Sequence, residues 1–351
     1  LSEAKGMDIN MLQSQSGKFY FGNNLCKERG LIMSILVVLQ QMVIIFILIG
    51  VGMLLYRRNM LSEATSKQIS GIIINVTNPA LLICSAFEDG PKVSLGGLSI
   101  ALAAYAAVFV ILIALSFLIP YILGVPKKLH YAYQMLTIFG NVGFIGIPLA
   151  SAVLGSESLI FVSIFNLLFN LLIYTLGMSM LEKAASLQAA EGEISPAGRH
   201  TSGRLQKLVN AGTISAAVTI LCYLGDFHVP VILSSTLTYM GRATTLLSML
   251  VLGVSVAQMA PKDILSHPKL YVFTLLRQIL VPIGCVLLMR GLIDNKLILN
   301  TMLLMVAVPA ANMPLMFAKQ MDMETESISQ GIILTTVLSL VTVPAACLFL
   351  S

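Results

Sequence analysis

Two stretches decide the fold: FGNVGFIGIPLA at 139–150 and VPAANMPL at 308–315, each set inside a long apolar run. The first packs Gly140, Asn141, Gly143, Gly146 and Pro148 into nine residues, and the second holds Pro309, Asn312 and Pro314. Proline removes a backbone donor and clashes with the preceding turn, and glycine admits backbone angles that other residues resist. Both runs are therefore expected to unwind in mid-course. Unwound backbone at membrane depth survives only where protein or water satisfies it.

The surrounding chain is that of a membrane protein. Of 351 residues, 57% are apolar and 11% charged, and the mean hydropathy is +0.90. Soluble domains carry about 25% charged residues. Apolar runs near 33–56, 66–87, 96–123, 130–154, 158–181, 207–224, 229–258, 268–290, 296–318 and 327–350 each meet the roughly 20-residue length of a spanning helix. The fold expected is an all-α polytopic membrane protein of ten transmembrane helices. Residues 1–32 are polar, without the apolar core of a secretory signal, and are expected to be a tag or a non-essential extension. Residues 182–206 are expected to form a cytoplasmic loop. It separates a first five-helix repeat, 33–181, from a second, 207–351.

An offset of 166 residues lays Pro148-Leu149 on Pro314-Leu315 and aligns the five runs of each half. Because five is odd, the second half must enter from the opposite side, which makes the repeat inverted. Inverted repeats and broken helices characterise secondary transporters. Loops after odd-numbered runs carry twelve Lys and Arg, those after even-numbered runs three. Positive charge is retained inside, so both termini are expected outside, with the plasma membrane as the location.

The chemistry expected follows from the breaks. A half-helix restarting after Gly146-Pro148, and another after Asn312-Pro314, would present free N–H groups and a partial positive charge. Two such ends form an anion site, with Asn141 and Asn312 as added donors. In the second run, Asn75 and Asn78-Pro79 (NVTNPALL, 75–82) could form a further discontinuity lining the same cavity or be polar groups that pack helices together, the latter being the reading for Asn75 alone. Arg242 and Arg277 lie within apolar runs, where a charge costs at least ~2.5 kcal/mol; each either faces a cavity or partner, where it could attract an anion, or snorkels to an interface. All 16 acidic residues fall in the N-terminal segment, in loops or at run ends, which argues against a cation exchanger. The five cysteines form no CxxC pair, and the four histidines are scattered, so no metal site or cofactor is expected. No nucleophile motif or buried acid–base pair indicates an enzyme.

The stretches NPALLICSAF (78–87), GNVGFIGIPLASAVLG (140–155), LGVSVAQ (252–258), VPAANMPLMFAKQ (308–320) and TTVLSLVTVP (335–344), in this order, resemble the auxin efflux carrier family over about residues 33–350. The resemblance implies a scaffold of helices 1, 2, 6 and 7 and a mobile domain of helices 3–5 and 8–10. It also implies substrate at the crossing of broken helices 4 and 9, a homodimer and an elevator-like movement. By position the crossing residues are Asn141, Gly143, Gly146, Pro148, Pro309, Asn312 and Pro314. The long central loop of plant members is absent, which favours a bacterial-type carrier of a small mono- or dicarboxylate such as malate. Two alternatives stand beside this reading: a sodium-coupled organic-anion symporter of bile-acid-transporter type, and a non-transporting receptor on the same fold.

Overall fold

The computed structural model describes residues 43–84, 95–190, 211–225, 230–259 and 268–350, with Leu36, Leu39, Gln40 and Phe87 besides. The expectations for 1–32 and for the opening of the first apolar run lie outside the described residues. Every regular element described is helical. In chain order they are α1 (Val43–Arg57), α2 (Glu63–Ile72), α3 (Asn78–Cys84), α4 (Leu95–Ile122), α5 (His130–Ile138), α6 (Ile147–Leu154), α7 (Leu159–Leu172), α8 (Met178–Ala190), α9 (Ala211–Gly225), α10 (Val231–Ala257), α11 (Pro268–Leu275), α12 (Val281–Met289), α13 (Lys296–Ala307), α14 (Met313–Gln320) and α15 (Glu326–Cys347).

Three pairs are single rods locally widened into a π turn: α2 and α3 at Ile73–Thr77, α7 and α8 at Ile173–Gly177, α11 and α12 at Leu276–Leu280. Five continuous helices are long and apolar enough to cross a bilayer unaided: Gly96–Ile122, Leu159–Ser186, Val231–Ala257, Pro268–Met289 and Glu326–Cys347. Their outer faces keep large apolar side chains in the open, among them Val110, Phe117, Ile232, Leu288 and Val341. An apolar surface of this extent is stable only against lipid. The protein is thus an integral membrane protein.

One expectation needs correcting. The polar stretch after position 181 is not loop from its start, because α8 runs on through Ala190. EKAASLQAA at 182–190 is rich in strong helix formers, and Gln188 is buried, donating to the Tyr131 hydroxyl at 3.2 Å. Residues 191–206 lie outside the described residues.

Packing places α9 and α10 against α3, α10 against α2, α4 against α5 and α7, and α15 against α5, α11 and α13. Helices α1 and α10 meet backbone to backbone. A Cβ on Gly253 would stand 2.3 Å from the Ile49 carbonyl oxygen, and one on Gly52 would stand 2.6 Å from that of Leu250. Small residues at reciprocal positions allow such approach between membrane helices. Gly253→Ala is therefore expected to lower the thermal midpoint of the detergent-solubilised protein, overpacking costing about 1–3 kcal/mol. An unchanged midpoint would show that the two helices separate readily.

Beyond α14, Glu324 is half-buried, its main-chain and side-chain oxygens both facing the Tyr131 hydroxyl, at 3.1 and 3.4 Å. Burial pushes its carboxyl above the usual carboxylate range, and hydrogen bonds from the Glu326 and Ser327 backbone oppose the shift in part. The folded protein then holds this proton more tightly than the unfolded chain, so the stabilisation is complete at acid pH and lost as pH rises through the raised value. Glu324→Gln should unfold with the parent at pH 4 and at higher temperature than the parent at pH 8. Melting curves that stay superimposed across this range would contradict the assignment.

Candidate functional site

The two decisive stretches are both broken. Helix α5 ends at Ile138, residues 139–141 are extended, and a π turn at Val142–Gly146 leads into α6. Helix α13 ends at Ala307, residues 308–312 are irregular, and α14 starts at Met313. The chain therefore restarts directly after Asn141, not after Gly146-Pro148, and Pro148 sits within α6. In the second break the expected position holds: Asn312 precedes α14 and Pro314 stands in its first turn, where its missing N–H is no loss. Asn141 and Asn312 thus occupy matching places, one at the end of each break.

The breaks pair with one another. Gly140 and Ala310 form an antiparallel bridge, in which the Asn141 N–H donates to the Pro309 carbonyl at 2.7 Å and the Ala311 N–H to that of Phe139 at 2.9 Å. The Ala310 N–H donates to the Thr335 hydroxyl of α15 at 3.2 Å. Proline at 309 has no N–H to satisfy.

The carbonyls that helices α5 and α13 leave unpaired are met by Arg277. Its Nε donates to the Leu136 carbonyl at 3.2 Å, and its Nη1 to those of Val308, at 2.9 Å, and Val306. The guanidinium is 1% exposed. A cation placed where two helices end meets the negative pole of each. Of the places expected for Arg277, the structure gives the partner and not the cavity: it lies behind the paired breaks. Gly140 makes room for it, since a Cβ there would come within 2.8 Å of Nη2 and 3.1 Å of Val308 Cγ2.

On the other side of the bridge lies a small, partly open cavity, lined by Asn78, Leu81, Gly140, Asn141, Val142, Gly143, Asn166, Phe169, Ala311, Asn312 and Met313. Its enclosed space is about 20 Å³, room for about one water molecule. The N-terminal turns of both restarted helices open onto it through Val142, Gly143 and Met313. Of the residues expected at the site, Asn78, Asn141, Gly143 and Asn312 line it. Gly146 instead sits where α6 approaches α13, its Cβ position 2.9 Å from Met305 Sδ. Pro309 contributes its carbonyl to the bridge. Asn75 is exposed and turned back on the Gly71 carbonyl at 2.9 Å, and Arg242 is exposed on α10; neither reaches the cavity. A side chain one position off the buried stripe of a helix points away from it, which run-level reading does not resolve.

Asn166 was not expected. It stands on α7 with Asn170 one turn later, both buried in an otherwise apolar helix. Two amides four residues apart share one helical face, and that spacing was the signal available in the sequence.

Replacing Arg277 by methionine would strip the partners from three buried carbonyls, each unmet group costing about 1–3 kcal/mol. Arg277→Met is expected to unfold at a markedly lower temperature than the parent, with Arg277→Lys between them. Equal stability of the methionine variant would show that the breaks hold without the guanidinium.

Residues 37–346 match the profile of a family described as membrane transport protein. No curated protein matches the chain.

Proposed function

The chain belongs to this family of membrane transport proteins, the auxin efflux carrier family, and from that premise we propose that it is a secondary carrier of a small organic anion, a mono- or dicarboxylate. The observation that carries the reading is the convergence on one small cavity of two restarted helix N-termini, Asn141 and Asn312, with no carboxylate in its lining. Helix N-termini favour negative charge. The Arg277 guanidinium adds a positive charge from behind Gly140, the two separated by bare backbone. Arg242 has no part in the site.

Transport in this proposal is alternating access of elevator type, in two inverted repeats. Helices α4–α8 and α11–α15 carry the site against a scaffold of α1–α3, α9 and α10, and the protein is a homodimer in the plasma membrane with both termini outside. The packing of α9 and α10 on α2 and α3, and of α15 on α5, α11 and α13, is compatible with that division. Buried hydrogen bonds of Tyr174 to the Ile74 carbonyl and of Asn78 to Asn170 join its two parts and must exchange in the movement, whereas an ion pair between them, Lys67 Nζ to Asp322 Oδ1 at 2.5 Å, is substantially exposed. Exposed pairs contribute about 0–1 kcal/mol, so this one would oppose movement little.

Purified protein in proteoliposomes, offered a panel of labelled carboxylates, tests the reading. At least one is expected to accumulate, and Asn141→Ala and Asn312→Ala should each reduce its uptake by about tenfold, the worth of one good hydrogen bond to the solute. Parental uptake in both variants would remove the site assignment, and accumulation of cations in place of carboxylates would remove the substrate class.

A further inference from the structure

The proposed carboxylate site leaves open which atoms of the cavity give hydrogen bonds and which take them. A chain of buried side chains running from α3 to α7 fixes this. It starts at Pro79. In the π turn the Asn78 N–H reaches back five residues to the Ile73 carbonyl. The next position in that register would pair with Ile74, but it is proline and has no N–H. The Ile74 carbonyl is taken instead by the Tyr174 hydroxyl, at 2.6 Å. Tyr174 is held in place on both sides: the Phe317 ring meets it edge-on at 5.3 Å, and Gly212 lies so close that a Cβ would stand 2.1 Å from a ring carbon.

A carbonyl oxygen only accepts, so the tyrosine proton is committed to Ile74. The amide group of Asn78 that faces the hydroxyl, at 3.4 Å, must then be its nitrogen, and the same nitrogen donates to Asn170 Oδ1 at 2.9 Å. The other end of the chain gives the same answer independently. Asn170 Nδ2 donates at 2.8 Å to the main-chain carbonyl of Asn166, which again can only accept, and at 3.2 Å to Asn166 Oδ1. Both anchors set the same direction.

Two atoms are left over. Asn166 has its oxygen engaged, which leaves Nδ2; Asn78 has its nitrogen engaged, which leaves Oδ1. Neither atom has a hydrogen-bond partner among the described residues, and both residues line the cavity while almost wholly buried. Asn312 supplies a second such acceptor: its Nδ2 rests on Met249 Sδ at 3.8 Å, and its buried Oδ1 has no partner.

We propose that Asn166 Nδ2 is a binding donor for the solute's carboxylate, and that Asn78 Oδ1 and Asn312 Oδ1 accept from a donor the solute itself carries. The solute class is then a carboxylate bearing its own hydroxyl or N–H group, not a plain carboxylate. This rests on the organic-anion reading and narrows it. A site with acceptors waiting for a hydroxyl discriminates strongly against the analogue that lacks it, because those acceptors are then buried unpaired.

The test uses the full chain in proteoliposomes and two solute pairs that differ by one hydroxyl: malate against succinate, and lactate against propionate. The hydroxylated member of a pair is expected to be taken up with a KM at least about tenfold lower than its partner. Asn166→Ala should raise that KM about tenfold with a smaller change in maximal rate, and Asn166→Asp should raise it further, a carboxylate there repelling the anion. Tyr174→Phe combined with Asn170→Ala removes both anchors, frees the Asn78 amide to turn and should reduce the preference for the hydroxylated member. Each variant is accepted only if it elutes as the parent on size exclusion. Equal KM values within both pairs, or parental KM in Asn166→Ala, would overturn this inference while leaving the carrier reading in place. Absence of uptake for every carboxylate would overturn both.

Discussion

Everything in this structure depends on how two interrupted helices satisfy their backbone away from water. An interrupted helix leaves carbonyls at one end and N–H groups at the other, and in an apolar medium each unmet group costs several kcal/mol. Here the carbonyl ends of α5 and α13 share one buried guanidinium, Arg277. The extended residues between helices satisfy each other through the bridge of Gly140 with Ala310, and α15 lends the Thr335 hydroxyl. That leaves the start of the π turn at Val142–Gly146 and the N-terminal end of α14 to meet whatever enters the cavity. One side of the paired breaks is thus closed by protein, and the other is open to a ligand.

This division explains why the acidic residues stay out of the apolar runs. A carboxylate near Arg277 would neutralise it, and the carbonyl ends would then compete for its hydrogens. A guanidinium without a carboxylate partner keeps its charge close behind the cavity wall, with Gly140 the thinnest wall the chain can make. The asymmetry of the site, amides and helix N-termini in front and a cation behind, follows from arranging backbone and a few side chains.

The sequence made the broad outline legible because its signals there are strong. Apolar runs of spanning length and the Gly/Pro/Asn clusters near 140 and 310 led to two broken helices, and Asn141 and Asn312 lie at the breaks as expected. The register was harder. Aligning Pro148 with Pro314 places the two restarts at equivalent prolines, whereas the chain restarts directly after the asparagines, at 142 and 313. Proline is tolerated in the first turn of a helix or where neighbours compensate, so its position does not mark the break.

Orientation around a helix was likewise beyond a run-level reading. Asn75 and Asn78 are three residues apart, yet one faces outward and the other lines the cavity, and the π turn between α2 and α3 shifts the phase there. Arg242 and Arg277 read alike as charges in apolar runs, and only packing separates an exposed arginine from a buried tie. The claim on which the account turns is that a solute sits in front of the paired breaks with Arg277 behind them. A cryo-electron microscopy map of the protein in lipid nanodiscs, saturated with a transported solute, tests it most directly. The account predicts solute density between Asn141, Asn166 and Asn312 with the Arg277 guanidinium still turned toward the carbonyls of Leu136, Val306 and Val308. Density at another location, or a guanidinium swung forward into the cavity, would contradict it.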